Sequence, residues 1–183
     1  QINIFDKHPD IARRLQDYYD CWWADASKEF EYSYIDIEPE RINTLTSHDI
    51  HVKSITAWHQ RDIRKGIAFE TGALNINFKK SGTYEISLRR WPIETSLPLN
   101  AEIDDAKPAT KYWDEQKKGE AMAFDAAFIV LDGKEHILKL NPLDQNAKFT
   151  IDTEEGKATL TSGFWLKNGQ KTTAFFTDIA LIK

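Results

Sequence analysis

From Pro9 to Phe30 the apolar positions Ile11, Leu15, Tyr18, Trp22 and Ala26 recur at steps of three and four residues. That spacing marks one face of an α-helix. Pro9 suits the first helical turn, where its missing N–H is not needed, and Asp10 complements the positive end of the helix dipole. Arg13, Arg14, Asp17 and Asp20 mark the wetter face. Tyr18, Tyr19, Trp22 and Trp23 give this helix more aromatic surface than a solitary helix needs. It is expected to dock, either on its own sheet or on a partner domain.

After Ile37 the period changes to two. Leu74, Ile76 and Phe78 alternate with polar neighbours, and Tyr84, Ile86 and Leu88 alternate with Glu85, Ser87 and Arg89. These read as half-buried strands, one face on a core and one in water. Ser81-Gly82 between them reads as a tight hairpin turn. Asp132-Gly133, Glu155-Gly156 and Asn168-Gly169 fall between further apolar runs. Asp-Gly and Asn-Gly favour type I′ turns, in which both central residues take φ > 0. The segment from Met122 to Leu131 is apolar on both faces, as a central strand would be, and 174–182 closes the chain similarly. About nine strands between residues 33 and 182 bury best as two stacked antiparallel sheets. The expected fold is mainly β: an antiparallel, jelly-roll-like β-sandwich over 33–183, preceded by a helical segment over 1–32. Residues 42–71 and 92–119 break the rhythm and read as long loops with short strands inside. Loops of that length in a compact domain are more often functional than not.

Bulk properties narrow the function. The 183 residues suit one domain plus a short attached element. A net charge of −5 argues against nucleic acid and against anionic membranes as partners. The longest apolar run, 121–131, is interrupted by Asp125 and is too short to insert into a membrane. Cys21 is the lone cysteine, which excludes a disulfide framework. The chain begins at Gln1 with no leader pattern and reads as a piece of a longer chain.

Recognisable catalytic motifs do not emerge. There is no Gly-x-Ser-x-Gly elbow and no glycine-rich phosphate loop. The acid pairs Asp104-Asp105 and Glu154-Glu155 sit in or beside turns, where carboxylates are usually solvated. His48, Asp49, His51 and His59 match no closed zinc spacing and read as a polar loop bonded to backbone. The pattern with most content is Leu88-Arg89-Arg90-Trp91-Pro92-Ile93-Glu94. Strand alternation puts Arg89 and Trp91 on the wet face with Glu85 and Ser87. Such a tryptophan needs cover: a ligand, a partner domain, or the loop that holds Trp58. In one reading Trp91 is a sugar platform and Arg89 grips a sulfate or carboxylate. In the other, favoured here, an arginine stacks on the tryptophan inside the protein and pins the long loop to the sheet.

These residues resemble the C-terminal region of bacterial arylsulfatases. His8-Pro9-Asp10 through Trp22-Trp23 is similar to the helix that closes the sulfatase C-terminal subdomain. Leu45-Thr46-Ser47-His48-Asp49 resembles the opening motif of the β module that follows. Trp58, Gln60 and Ile63-Arg64-Lys65-Gly66 resemble its next segment, and Gly82-Thr83-Tyr84 with Leu88 through Glu94 is the most specific match. Gly163-Phe164-Trp165 and Ala174-Phe175-Phe176 are similar to its closing strands. The sequence departs from that pattern at Ile50, where tryptophan is expected, at His59, where asparagine is expected, and near Leu74, where an aromatic is expected. The resemblance implies a parent that hydrolyses sulfate esters with a formylglycine, made within a Cys/Ser-x-Pro-Ser-Arg motif, beside a calcium ion. Cys21 is followed by Trp22-Trp23-Ala24-Asp25, and Ser96-Leu97-Pro98-Leu99-Asn100 lacks the second serine and the arginine. This chain is therefore expected to be non-catalytic and to hold no cofactor, with calcium belonging to a catalytic part upstream. Its expected partner is that catalytic domain, and secondarily a glycan touched by His48, Trp58, Gln60, Arg89, Trp91 and Glu94. Such sulfatases are usually exported to the periplasm or cell surface.

Overall fold

A computed structural model describes residues 3–183, with the side chains of residues 30–32 outside the description. Gln1 and the side chain of Phe30, the expected start of the chain and end of the helix, lie outside the described residues. The described chain forms two units, which divide between Tyr34 and Ile35.

In the first unit, helix α1 (Pro9–Ala26) starts with Pro9 in its first turn and Asp10 beside it, as the sequence predicts. It is shorter than its apolar stripe suggests. After Ala26 the chain tightens into a 3-10 turn, Ser27–Tyr32, and the Ser27 N–H donates to the Trp23 and Asp25 carbonyls that the helix end leaves open. No residue of α1 is buried. Its aromatic side chains lie on one another: Tyr19 stacks on Trp23 at 6.2 Å and 10°, and Trp22 tilts against Tyr19 at 5.7 Å. Among the described residues no helix is long and apolar enough to cross a membrane.

The second unit is a β-sandwich. Its strands are β1 (Ile35–Ile37), β2 (Asn43–Thr46), β3 (Ala73–Phe78), β4 (Gly82–Arg89), β5 (Phe124–Leu131), β6 (Lys134–Lys139), β7 (Ala147–Thr153), β8 (Gly156–Leu166), β9 (Lys171–Thr173) and β10 (Phe176–Leu181). One sheet runs β1-β3-β8-β5-β6, with β9 also paired to β8; the other runs β2-β10-β4-β7. Every pairing is antiparallel except β1 with β3, which is parallel. The core lies between the sheets. Leu74, Ile76 and Phe78 of β3 and Tyr84, Ile86 and Leu88 of β4 all point into it, with Ile129, Leu160, Phe164 and Ile179. Strand alternation alone places these residues correctly, because a period of two puts every second side chain on one face.

Two of the four glycine turns are hairpins and two are not. Asp132 (φ 46°) and Gly133 (φ 82°) both adopt positive φ and join β5 to β6, the type I′ requirement. Asn168-Gly169 joins β8 to β9, with positive φ at Gly169 alone. Ser81-Gly82 instead connects β3 and β4, which lie in opposite sheets, and Glu155-Gly156 does the same for β7 and β8. The expected hairpin at Ser81-Gly82 is thus an inter-sheet crossing. The physical reason is that β3 and β4 present apolar faces to each other across the core, with Phe78 against Tyr84 at 4.7 Å. The two crossings are tied together: Ser81 Oγ donates to Glu154 and accepts from the Glu155 N–H.

Both long loops carry structure. Within residues 42–71 lie β2 and a short helix, α2 (Gln60–Arg64). The His59 ring accepts from the Arg61 N–H, and Asp62 accepts from the His59 N–H, which caps the helix. The side of α2 bearing Ile63 rests on a small second core of Ala57, Phe69 and Phe175. The other loop folds back on itself through two isolated antiparallel bridges, Ile103 with Gly119 and Lys107 with Gln116.

Candidate ligand-binding cleft

The end of β4 organises both loops, through Arg90. Continued alternation past Leu88 puts residue 90 in phase with the core side chains Tyr84, Ile86 and Leu88. Arg90 is fully buried there. Its guanidinium lies 4.2 Å from the Trp91 ring centroid and donates to three backbone carbonyls: Glu120 at 2.6 Å, Ile63 at 3.1 Å and Ala101 at 3.2 Å. One of these belongs to α2 and two to the second loop, so a single side chain fastens both loops to the sheet. Burial lowers its pKa to about 10, which leaves it positive at neutral pH. Trp91 is 4% exposed. The second loop covers it, and a Cβ added to Gly119 would stand 2.9 Å from the ring. A stacked arginine–tryptophan pair pins the long loop, and the arginine is Arg90. Arg90 Nε and Trp91 Nε1 find no acceptor among the described residues.

Arg89 sits on the outer face of the β2-β10-β4-β7 sheet, as alternation predicts. Its Nε and Nη2 grip Asp178 of β10 at 2.7 and 3.1 Å, and its Nη1 donates to the Trp91 carbonyl. Its cation lies over the Phe176 ring. Thr44 also donates to Asp178. With both carboxylate oxygens and the fork of the guanidinium engaged, this pair is a cross-strand tie.

Of the remaining sequence candidates, His48 and Trp58 come together. The imidazole of His48 stacks on Trp58, 4.6 Å between ring centroids, and its Nε2 is hydrogen-bonded to the Trp58 carbonyl. Trp58 is 71% exposed. Glu94 is exposed on a 3-10 turn, Ile93–Thr95. Trp91 is buried and presents no open ring face. Of the six, only Gln60 borders the cleft described next.

That cleft lies between α2 and the tip of the second loop. Its volume is about 550 Å³, within the range of small-ligand sites. Its floor is braced by Arg64, which holds Asp105 at 2.5 and 3.0 Å and the Lys117 carbonyl at 3.1 Å. Gln116 Nε2 donates to Asp105 as well. The Arg64 hydrogen bond, more than its charge, holds the Asp105 carboxyl below the usual carboxylate range against a smaller opposing effect of burial. The loop tip is a turn in which Thr110 Oγ1 accepts from the Trp113 N–H and the Thr110 N–H donates to the Trp113 carbonyl. Tyr112 and Trp113, at 79% and 77% exposure, stand on that turn. Arg61, Lys107 and Lys117 complete the rim.

The sequence carried a signal for this site that the alternation pattern does not capture. Tyr112-Trp113 is a pair of large aromatics inside a polar, lysine-rich stretch, and nothing local predicts a core for it to join. Among the described residues no three His, Cys, Asp or Glu side chains gather as a metal site requires.

Compared with known proteins, the chain matches no protein-family model and no curated protein sequence. Among solved structures, a ruminal GH26 endo-beta-1,4-mannanase aligns with 80% of this chain at 12% identity and a TM-score of 0.42. The chain spans 27% of that enzyme's length.

Proposed function

We propose that this chain is a non-catalytic accessory domain of an exported, periplasmic or extracellular sulfatase, and that it packs on the catalytic domain. The observation that carries this reading is the use of the Leu88–Glu94 stretch. Its residues resemble the arylsulfatase C-terminal module most specifically, and they serve as fasteners: Arg89 ties two strands, while Arg90 and Trp91 lock two loops onto the sheet. A segment spent on holding loops in place suits a scaffold. The exposed aromatic face of α1, with Tyr18, Tyr19 and Trp22, is the surface proposed to meet the catalytic domain.

The test uses the intact parent protein. Sulfate release from 4-nitrophenyl sulfate is expected from the parent and not from residues 1–183 alone. Replacing Tyr19 and Trp22 by serine in the parent is expected to lower its melting temperature by several degrees. Sulfate release by the 183-residue chain itself would sink the reading, and so would a parent indifferent to the helix substitutions.

A second reading, a carbohydrate-binding module, is favoured by one observation: Tyr112 and Trp113 stand exposed at the mouth of a cleft.

A further inference from the structure

We infer that the cleft between α2 and the 107–117 loop binds an acidic saccharide, sulfated or carboxylated, with Trp113 and Tyr112 stacking on sugar faces and Arg61, Lys107 and Lys117 meeting the anionic groups. This deepens the glycan-binding reading and is independent of the parent being a sulfatase.

Charge is the first argument. The chain as a whole is acidic, with 29 Asp and Glu against 24 Lys and Arg. The cleft reverses that balance: four basic side chains, Arg61, Arg64, Lys107 and Lys117, face two acids, Asp114 and Glu115. Arg64 is already committed to Asp105. Arg61, Lys107 and Lys117 enter no salt bridge among the described residues. These three cations border one cleft outside any salt bridge, and their charge favours an anionic ligand there.

The second argument is shape and surface. Trp113 and Tyr112 are the two most exposed of the large aromatics on the sandwich unit, and the hydrogen bonds of the Thr110 turn fix their backbone. Pyranose rings present flat C–H faces that bury well against such side chains. The gain per ring is small, so affinity has to come from stacking and charge together. Gln60, with an amide donor and acceptor, and the carboxylates of Asp114 and Glu115 suit the hydroxyl groups between the anionic ones.

The third argument is rigidity. Arg90 ties α2 and the ends of the second loop to the sheet through backbone carbonyls, and Arg64 ties α2 to Asp105 of that loop. A preformed cleft avoids the ordering cost that a floppy loop would impose on a weak ligand. The walls are a one-turn helix and a loop. None of the named strands borders the cleft to pair with an extended peptide, which favours a saccharide over an acidic peptide.

The experiment is a fluorescence and calorimetric titration of residues 1–183. The probes are a chondroitin sulfate hexasaccharide and a hexagalacturonate, against cellohexaose, hexaglutamate and oligo(dT) of matched length. Saturable binding of the two acidic saccharides is expected in the range of roughly 0.1–1 mM, weakening as salt is raised. Trp113→Ala, and separately Lys107→Ala with Lys117→Ala, should each weaken binding by about tenfold. Lys134→Ala, on the β5–β6 hairpin, should leave it unchanged. Acidic saccharide binding that survives both the Trp113 and the double lysine variants overturns the cleft while leaving a glycan site elsewhere on the domain. Equal or tighter binding of cellohexaose, hexaglutamate or oligo(dT) overturns the acidic-saccharide assignment. No binding at 10 mM of any saccharide overturns both the cleft and the glycan-binding reading. If Trp113→Ala lowers the melting temperature, the double lysine variant, which alters only exposed side chains, decides.

Discussion

Removing the Arg90 guanidinium would leave three part-buried carbonyls without this donor and strip the face of Trp91. Unpaired buried acceptors cost about 1–3 kcal/mol each before relaxation, so Arg90→Met should lose about 3 kcal/mol of stability. Arg90→Lys should also lose stability, about 2 kcal/mol, because one ammonium cannot span three separated carbonyls or stack flat on the ring. Urea denaturation of the chain checks both, and a loss under 1 kcal/mol for the methionine variant would show that the loops hold without this contact. The neighbouring Arg89 makes a different case. Its partner Asp178 is itself mostly shielded, at 14% side-chain exposure. Arg89→Ala should therefore cost about 1–3 kcal/mol, chiefly by stranding that carboxylate. Two adjacent arginines thus hold two different layers of the molecule: one ties strands, the other ties loops.

At the level of elements, the clamp between α2 and the second loop depends on an ionised Asp105. Its folded pKa is depressed, mainly by the Arg64 hydrogen bond. The clamp's contribution is therefore complete above the ordinary carboxylate pKa, near 4, and is lost as pH falls through the depressed value. Hydrogen exchange of residues 103–119 should accelerate below about pH 4 relative to the strands. Asp105→Asn should show the faster exchange already at pH 7 and lose that acid dependence; an Asn variant with the parent profile would refute the clamp. The strands and their inward faces were legible in the sequence because alternation is a local signal that burial enforces. The inter-sheet crossing at Ser81-Gly82 was not, since a glycine turn reports a reversal of the chain and not which sheet receives it. Helix α2 was hidden by its brevity: it exists because Ile63 finds Phe69 and Phe175, a long-range contact with no periodic trace. Of the residues singled out in the sequence, Gln60 borders the cleft, and Arg90 would follow from strict alternation if arginine were not presumed wet. The cleft's other residues come together through long-range contacts such as the Arg64–Asp105 clamp, which joins side chains 41 residues apart.

For the molecule as a whole, every residue of the main core lies at or beyond Ile35. Residues 35–183 alone should therefore unfold in one cooperative transition, with coincident near- and far-ultraviolet circular dichroism. Non-coincident transitions would show that the sandwich needs the helical segment to complete its fold. The strand order carries a further consequence. The strand nearest the end of the chain, β10, occupies an interior position between β2 and β4, and its partners are far upstream in sequence. On the ribosome, β2 and β4 emerge early, each lacking its shared neighbour and exposing unpaired backbone edges. One sheet can close only when β10 leaves the exit tunnel. Translation of this domain is thus a wait for its final strand, and a chain cut short just before Phe176 would be left with an open seam between β2 and β4.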